Sequence, residues 1–329
     1  MRRAFARAGS EVLSLDQADG SALRERLESE HASRPLHLVY ERYALGAYAT
    51  GEFARAHAVP YVLEVNAPLL DEEARHRPGQ KSTHDPERER DQFAGASRVL
   101  CVSSDVQSYA LLRGAPPAFT VVQPNAVDPE IFRPRTANDP LRAELVPEGR
   151  VAIGFHGRLR PWHGFDRLVA AFGRLVERGL PVHLLILGEG PFEEHLLGRV
   201  AAERITRLGW KTHEEAARVV ACTDVLPLCY APGEPCYFSP LKLLEAMACT
   251  AVPVVPALGD LPREVEHGVD GIVYDPKEQD ALEHVLAMLV SDAGLRARLG
   301  RAARARAETR TWAGLAAQLL DRVPARGLA

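Results

Sequence analysis

Three segments in the second half of the chain carry residue types suited to holding an anion. The first is His156-Gly157-Arg158-Leu159-Arg160-Pro161-Trp162-His163-Gly164, with two glycines and two arginines. The second is Gly188-Glu189-Gly190-Pro191, where glycines let a backbone approach a ligand closely. The third is Ser239-Pro240-Leu241-Lys242-Leu243-Leu244-Glu245, which reads as a helix start with Ser239 as N-cap and Pro240 at the first helical position. Free N–H groups at such a start, here those of Leu241 and Lys242, form an anion site. A lysine in the first turn opposes the helix dipole by about 0.3–1 kcal/mol unless an anion lies nearby. Lys242 therefore points to a bound phosphate, and Glu245 is placed to accept hydrogen bonds from ribose hydroxyls.

Each piece also has a plainer reading. Ser-Pro starts many helices without ligands, and Lys242 with Glu245 makes an ordinary i,i+3 ion pair. Gly188 and Gly190 fit a strand-to-helix turn, and Trp162 a packed aromatic. The functional reading rests on three loops of matching chemistry converging at one sheet edge, beyond the carboxyl ends of the strands.

The elements that would position these loops alternate between short apolar runs and helical patterns, the signature of βα units and a parallel sheet. Strands are expected at 11–15, 36–40, 61–65, 98–102 and 119–122, then at 151–155, 182–187, 205–208, 225–228, 252–255 and 272–274. Together they make two Rossmann-like domains. Phe165, Leu168, Val169, Phe172, Leu175 and Val176 form one helical stripe, stopped by Gly179 and Pro181. Thr212 with Glu215 reads as a capping box, and Asp275 before Pro276 as another cap. Residues 128–149 are expected to link the domains, and 71–90 to form a charged surface loop. The first domain is assigned residues 1–138 plus a crossover helix at 310–329, and the second 139–309. Because the first eight residues already read as helix, the first domain is expected to lack its opening strand and Gly-rich loop.

The chain has 329 residues and 40 basic against 44 acidic side chains, a net charge of −4 with both signs mixed. Such a balance gives no global attraction for nucleic acid or anionic lipid, so an anion site must be local. No apolar run is long enough to span a bilayer and no signal peptide is evident, which makes a cytoplasmic protein the default. Five cysteines without a C-x-x-C pair argue against disulfides and zinc. His156 and His163 lie seven apart, a spacing that does not stack them on one helix turn, and no metal site is predicted.

Taken together these motifs resemble the retaining GT-B glycosyltransferases, the glycosyl transferases group 1 or family four, most strongly over residues 151–312. Gly157-Arg158-Leu159 with Trp162-His163-Gly164 is similar to the family's phosphate-contacting loop. Leu187 to Pro191 is similar to its G-x-G turn, Leu244-Glu245-Ala246-Met247-Ala248 with Pro253-Val254-Val255 to its signature, and Pro124-Asn125-Ala126-Val127-Asp128 to its PNGVD segment.

The resemblance implies two Rossmann-like domains facing across a cleft. It also implies transfer of a sugar, with retention, from a nucleotide-diphosphate sugar to a small-molecule, glycan or lipid-linked acceptor. UDP-sugar is the first expectation for this co-substrate, with no further cofactor and no metal. Arg158 and Lys242 would neutralise the diphosphate and Glu245 would bind the ribose. Gly157, His163, Gly188, Gly190, Tyr237, Ser239, Pro240 and Leu241 would line the donor site. His163 stands where a phosphate-binding lysine is common, and Tyr237 where a glutamate commonly precedes Glu245 by eight positions. Asn66, after the strand at 61–65, holds the place of a histidine near the reacting sugar and cannot act as a base. The leaving phosphate would then take the acceptor proton, leaving the protein to position and stabilise charge. The alternative is a catalytically degenerate member that binds nucleotide or a partner without turnover.

Overall fold

The computed structural model describes residues 1–15, 20–76, 84–136, 139–190, 196–198, 200–233 and 235–322, and the statements below concern these. The first part of the chain runs α1 (Arg2–Arg7), α2 (Gly20–Ser33), β1 (Val39–Arg42), α3 (Ala49–Ala56), β2 (Tyr61–Val65), α4 (Leu69–His76), α5 (Pro86–Gly95), β3 (Arg98–Cys101), α6 (Ser104–Leu112) and β4 (Thr120–Val122). There follow α7 (Leu141–Leu145), β5 (Val151–His156), α8 (Phe165–Glu177), β6 (Val182–Leu187), β7 (Ile205–Leu208), α9 (His213–Val220), β8 (Val225–Pro227), α10 (Leu241–Ala248), β9 (Val252–Pro256), α11 (Leu261–Glu264), β10 (Ile272–Tyr274), α12 (Ala281–Ser291), α13 (Ala293–Glu308) and α14 (Trp312–Arg322).

Two compact units result. The first comprises Met1–Asn125, Tyr237–Ser239 and the chain from Ala313 onward; the second comprises Ala126–Cys236 and Pro240–Trp312. The first holds a four-stranded sheet in the order β1-β2-β3-β4, the second a six-stranded sheet in the order β10-β9-β8-β5-β6-β7. Every pairing is parallel. Strands β2, β5, β6 and β9 are buried at every position, as expected where helices cover both faces of a sheet.

In the second unit α8 lays Phe165, Leu168, Val169, Phe172 and Leu175 into the core beside Ile153, Leu184 and Ile186. It ends before Gly179, whose φ of +72° is a left-handed geometry that glycine adopts without a Cβ clash. The capping box at α9 is formed by Thr212 and Glu215 as its spacing predicts.

Several local expectations are corrected. Residues 11–15 join no sheet; Glu11 instead meets the Arg34 guanidinium, and β1 is the edge strand. The stretch 71–90 is largely helical where described, because Asp85 caps α5 by accepting from the N–H groups of Glu87 and Arg88, with Pro86 at its first position. Residues 77–83 and Pro191 lie outside the described residues. Within 128–149, α7 forms and is held by Arg142, which reaches Asp224 at 2.8 Å. Ser239 does not cap α10: Pro240 is the N-cap residue, in extended geometry, and the Ser239 hydroxyl accepts the Asn125 N–H instead. Asp275 closes a turn by accepting from the Lys277 N–H, and the following helix starts only at Ala281.

Two substitutions separate core from cap. Phe172→Ala empties a fully buried site and is expected to lower unfolding free energy by about 3–5 kcal/mol. Thr212→Ala is expected to lower it by about 1 kcal/mol. Denaturant unfolding checks both, and comparable losses from the two would contradict the assignment.

Candidate functional site

The sheet of the second unit changes direction at β5, which pairs with β6 on one side and β8 on the other. Ligands of open parallel sheets bind beyond the carboxyl ends of the strands at such a point. The segments leaving the sheet there are the loop after His156 and the chain after β8 that leads into α10.

Glycines set how closely these segments pack. The Gly157 N–H donates to the Leu187 carbonyl at 2.9 Å and the Leu159 N–H to the Glu189 carbonyl at 3.0 Å, so the two loops stay bonded past the strand ends. Gly188 has φ +116°, and a Cβ there would stand 2.3 Å from the Gly157 carbonyl oxygen. One at Gly190 would stand 2.5 Å from Leu159 Cβ. Gly164, with φ +62°, leaves no space either, since a Cβ would lie 1.9 Å from the Cys229 carbonyl oxygen. Backbone thus packs on backbone where a side chain would intervene.

Lys242 rises into this packed wall. A Cβ on Gly157 would be 4.0 Å from both Lys242 Cε and Nζ, so the ammonium lies beside the bare Gly157 backbone. Its Nζ sits 4.6 Å from the centre of the Phe155 ring, a cation–π distance. Burial pulls the ammonium pKa from 10.5 down to about 8, while the Glu245 charge acts in the opposite direction. Among the described residues Lys242 has no ion pair, and the N–H groups of Leu241 and Lys242 at the start of α10 have no acceptor. Arg158 follows Gly157 and is exposed, also without an ion pair among the described residues.

His163 adds no second charge. Burial, then the positive charge of Lys242, pushes its pKa down to about 3, against a hydrogen bond to the Arg158 backbone, and its buried Nδ1 has no partner. The imidazole is neutral at physiological pH and, with Phe155, Cys229, Tyr230 and Lys242, lines a small cavity.

Glu245 stands one turn along α10 from Lys242. Its Oε2 is 2.9 Å from Nε2 of His156, the last residue of β5. Sequence reasoning passed over this pair, because 89 positions separate its members and only the adjacency of β5 and β8 brings them together. A histidine closing an otherwise apolar strand was the available signal.

The remaining predicted residues belong to the first unit. Asn66 follows β2, is half-buried, and has a buried Nδ2 with no partner. The Tyr237 hydroxyl donates to Glu72, and its carbonyl accepts from Ser103 Oγ at 2.7 Å. The Ser239 carbonyl accepts from Asn125 Nδ2 at 2.7 Å. The structure therefore gathers Gly157, His163, Gly188, Gly190, Lys242 and Glu245 around one point, with Arg158, Pro240 and Leu241 adjoining in sequence. Asn66, Tyr237 and Ser239 form part of the other unit.

Residues 150–292 match the family model described as glycosyl transferases group 1. Over 237 residues the chain is 31% identical to the D-inositol 3-phosphate glycosyltransferase of Stackebrandtia nassauensis, covering 68% of this chain and 52% of that protein. It is 31% identical over 202 residues to the GDP-mannose-dependent alpha-(1-6)-phosphatidylinositol dimannoside mannosyltransferase of Mycobacterium tuberculosis, covering 61% and 51%. The chain thus spans about half the length of these relatives. Among solved structures it is similar to HepE of Anabaena in complex with UDP, at a TM-score of 0.71 and 21% identity over 92% of this chain and 81% of that one. Sucrose-phosphate synthase of Thermosynechococcus elongatus gives a TM-score of 0.71 at 20% identity, over 92% and 76%. At these identities the structural likeness establishes the fold.

The Lys242 environment makes a prediction about stability. The folded chain holds this proton less tightly than the unfolded chain, so the charged side chain weakens folding at pH values below about 8, and the penalty is relieved as pH rises from about 8 towards 10.5. Lys242→Met should therefore be more stable than the parent protein at about pH 7.5, with the gap narrowing at about pH 9.5. Denaturant unfolding at both values is the check, and a gap unchanged with pH would contradict it.

Proposed function

Residues 150–292 belong to the glycosyl transferases group 1 family on a chain with the GT-B fold, and from this we propose that the chain transfers a sugar, with retention, from a nucleotide-diphosphate sugar to an acceptor hydroxyl. The observation that carries the proposal is Lys242. A lysine in the first turn of a helix, desolvated and without an ion pair among the described residues, lies beside bare glycine backbone at the point where the sheet changes direction. An arrangement this unfavourable when empty is stabilised by an anion.

In this reading the donor diphosphate lies along Gly157 and the start of α10. Lys242 and Arg158 neutralise it, helped by the free N–H groups of Leu241 and Lys242. Gly188 and Gly190 keep the neighbouring loop low, and neutral His163 packs against the lysine rather than sharing its charge. Glu245 accepts the ribose hydroxyls. Pro240, in extended geometry, leads the chain into α10.

Asn66 cannot act as a base, and none is invoked. The leaving phosphate oxygen takes the acceptor proton as the glycosidic bond to the donor breaks and the bond to the acceptor forms on the same face. The two cationic side chains and the helix end stabilise the departing diphosphate, and on this reading the chemistry is metal-independent. HepE was crystallised with UDP, which makes UDP-sugars the first donors to try. The names of the two relatives make inositol-containing acceptors the first acceptors.

Slow donor hydrolysis with a panel of UDP-, GDP- and ADP-sugars tests the proposal. One donor is expected to be hydrolysed, with Lys242→Ala lowering the rate by about 100-fold or more; an unchanged rate would sink the assignment. Arg158→Ala is expected to weaken UDP binding about tenfold and leave uridine binding unchanged. Equal losses for both ligands would show that Arg158 does not serve the phosphates.

A further inference from the structure

Glu245, inside α10, is held away from its nearest oppositely charged neighbour on the helix. Its side chain is 18% exposed and His156 beside it is nearly buried. Oε2 is bound to His156 Nε2, while Oε1 has no hydrogen-bond partner among the described residues. Three residues back on the same helix face is Lys242, the neighbour with which a glutamate would ordinarily pair. No such ion pair forms; the lysine turns to Phe155 and the glutamate to His156.

We propose that His156 is a positioning residue for nucleotide recognition, fixing the Glu245 carboxylate with one oxygen presented to the ribose and keeping it off Lys242. The inference rests on the reading of Glu245 as the ribose acceptor. A glutamate freezes several rotatable bonds when it binds, and a carboxylate already anchored through one oxygen avoids most of that loss. A hydrogen bond to a charged group also has the strength to hold the rotamer. His156 sits at the end of the strand that defines the turning point of the sheet, so the anchor is as rigid as the sheet itself. Without it, Glu245 is free to fold back towards Lys242 and compete with the diphosphate.

Matched pairs of UDP, GDP and ADP with their 2′,3′-dideoxy forms, titrated calorimetrically into the full chain, separate ribose recognition from phosphate binding, because phosphate effects cancel in each ratio. The parent protein is expected to prefer at least one ribonucleotide about tenfold. His156→Phe should bring that ratio close to one, and His156→Gln, which keeps a donor facing Glu245, should restore most of it. If His156→Phe does not fold, His156→Asn, polar but too short to reach the carboxylate, should show the same loss. A preference retained in these variants, or affinities for both members of a pair falling together with the ratio unchanged, would overturn the role of His156 while leaving Glu245 as the ribose acceptor. A parent protein that binds none of the nucleotides, or binds both members of every pair alike, would overturn the reading of Glu245 and this inference with it.

Discussion

A side chain on Gly188 would collide with the Gly157 carbonyl, and most of the second unit's site follows from that contact. With no Cβ in the way, the loops after β5 and β6 stay bonded past the strand ends, through the Gly157 and Leu159 N–H groups, and backbone lies against backbone. Lys242 approaches Gly157 from the other side, its Cε and Nζ each 4.0 Å from where a Cβ on that glycine would stand. The lysine reaches this space because the sheet places β8, and so the chain into α10, directly beside β5. Parallel pairing, the change of direction and the glycines thus act as one device, which brings a cation close to the Gly157 backbone.

The electrostatics of the site are local. The chain carries a small net negative charge, and in the proposed site attraction for an anion would come from the Lys242 ammonium, the exposed Arg158 guanidinium and the start of α10. Burial makes Lys242 easier to deprotonate and keeps His163 neutral. The two effects share a cause, since a charge removed from water becomes less favourable; for His163 the ammonium of Lys242 adds to it. A bound phosphate would reverse that balance for the lysine, which is why its isolation argues for a ligand more strongly than its mere presence in the sequence.

Long apolar runs made the central strands legible from sequence, since a parallel strand covered on both faces needs apolar residues at nearly every position. The stripe of α8, the capping box of Thr212 and Glu215, and the left-handed stop at Gly179 were legible because each is a local rule. Residues 11–15 form a short apolar run with no neighbouring strand to pair with, and such a run alone does not supply one. Ser239 looked like a cap, but its hydroxyl is claimed by Asn125, far away in sequence. The pairing of His156 with Glu245 escaped for the same reason: it depends on strand order, which local pattern does not encode. Lys242 and the glycines were visible by type and spacing, whereas the contacts that give them meaning needed the sheet.

The most direct measurement of the central claim is a crystal structure of the chain with bound UDP. The account predicts the diphosphate against Gly157, within hydrogen-bonding distance of Lys242 Nζ and the first N–H groups of α10, with a ribose hydroxyl on Glu245 Oε1. A nucleotide bound elsewhere, or one whose phosphates face away from Lys242, would contradict it.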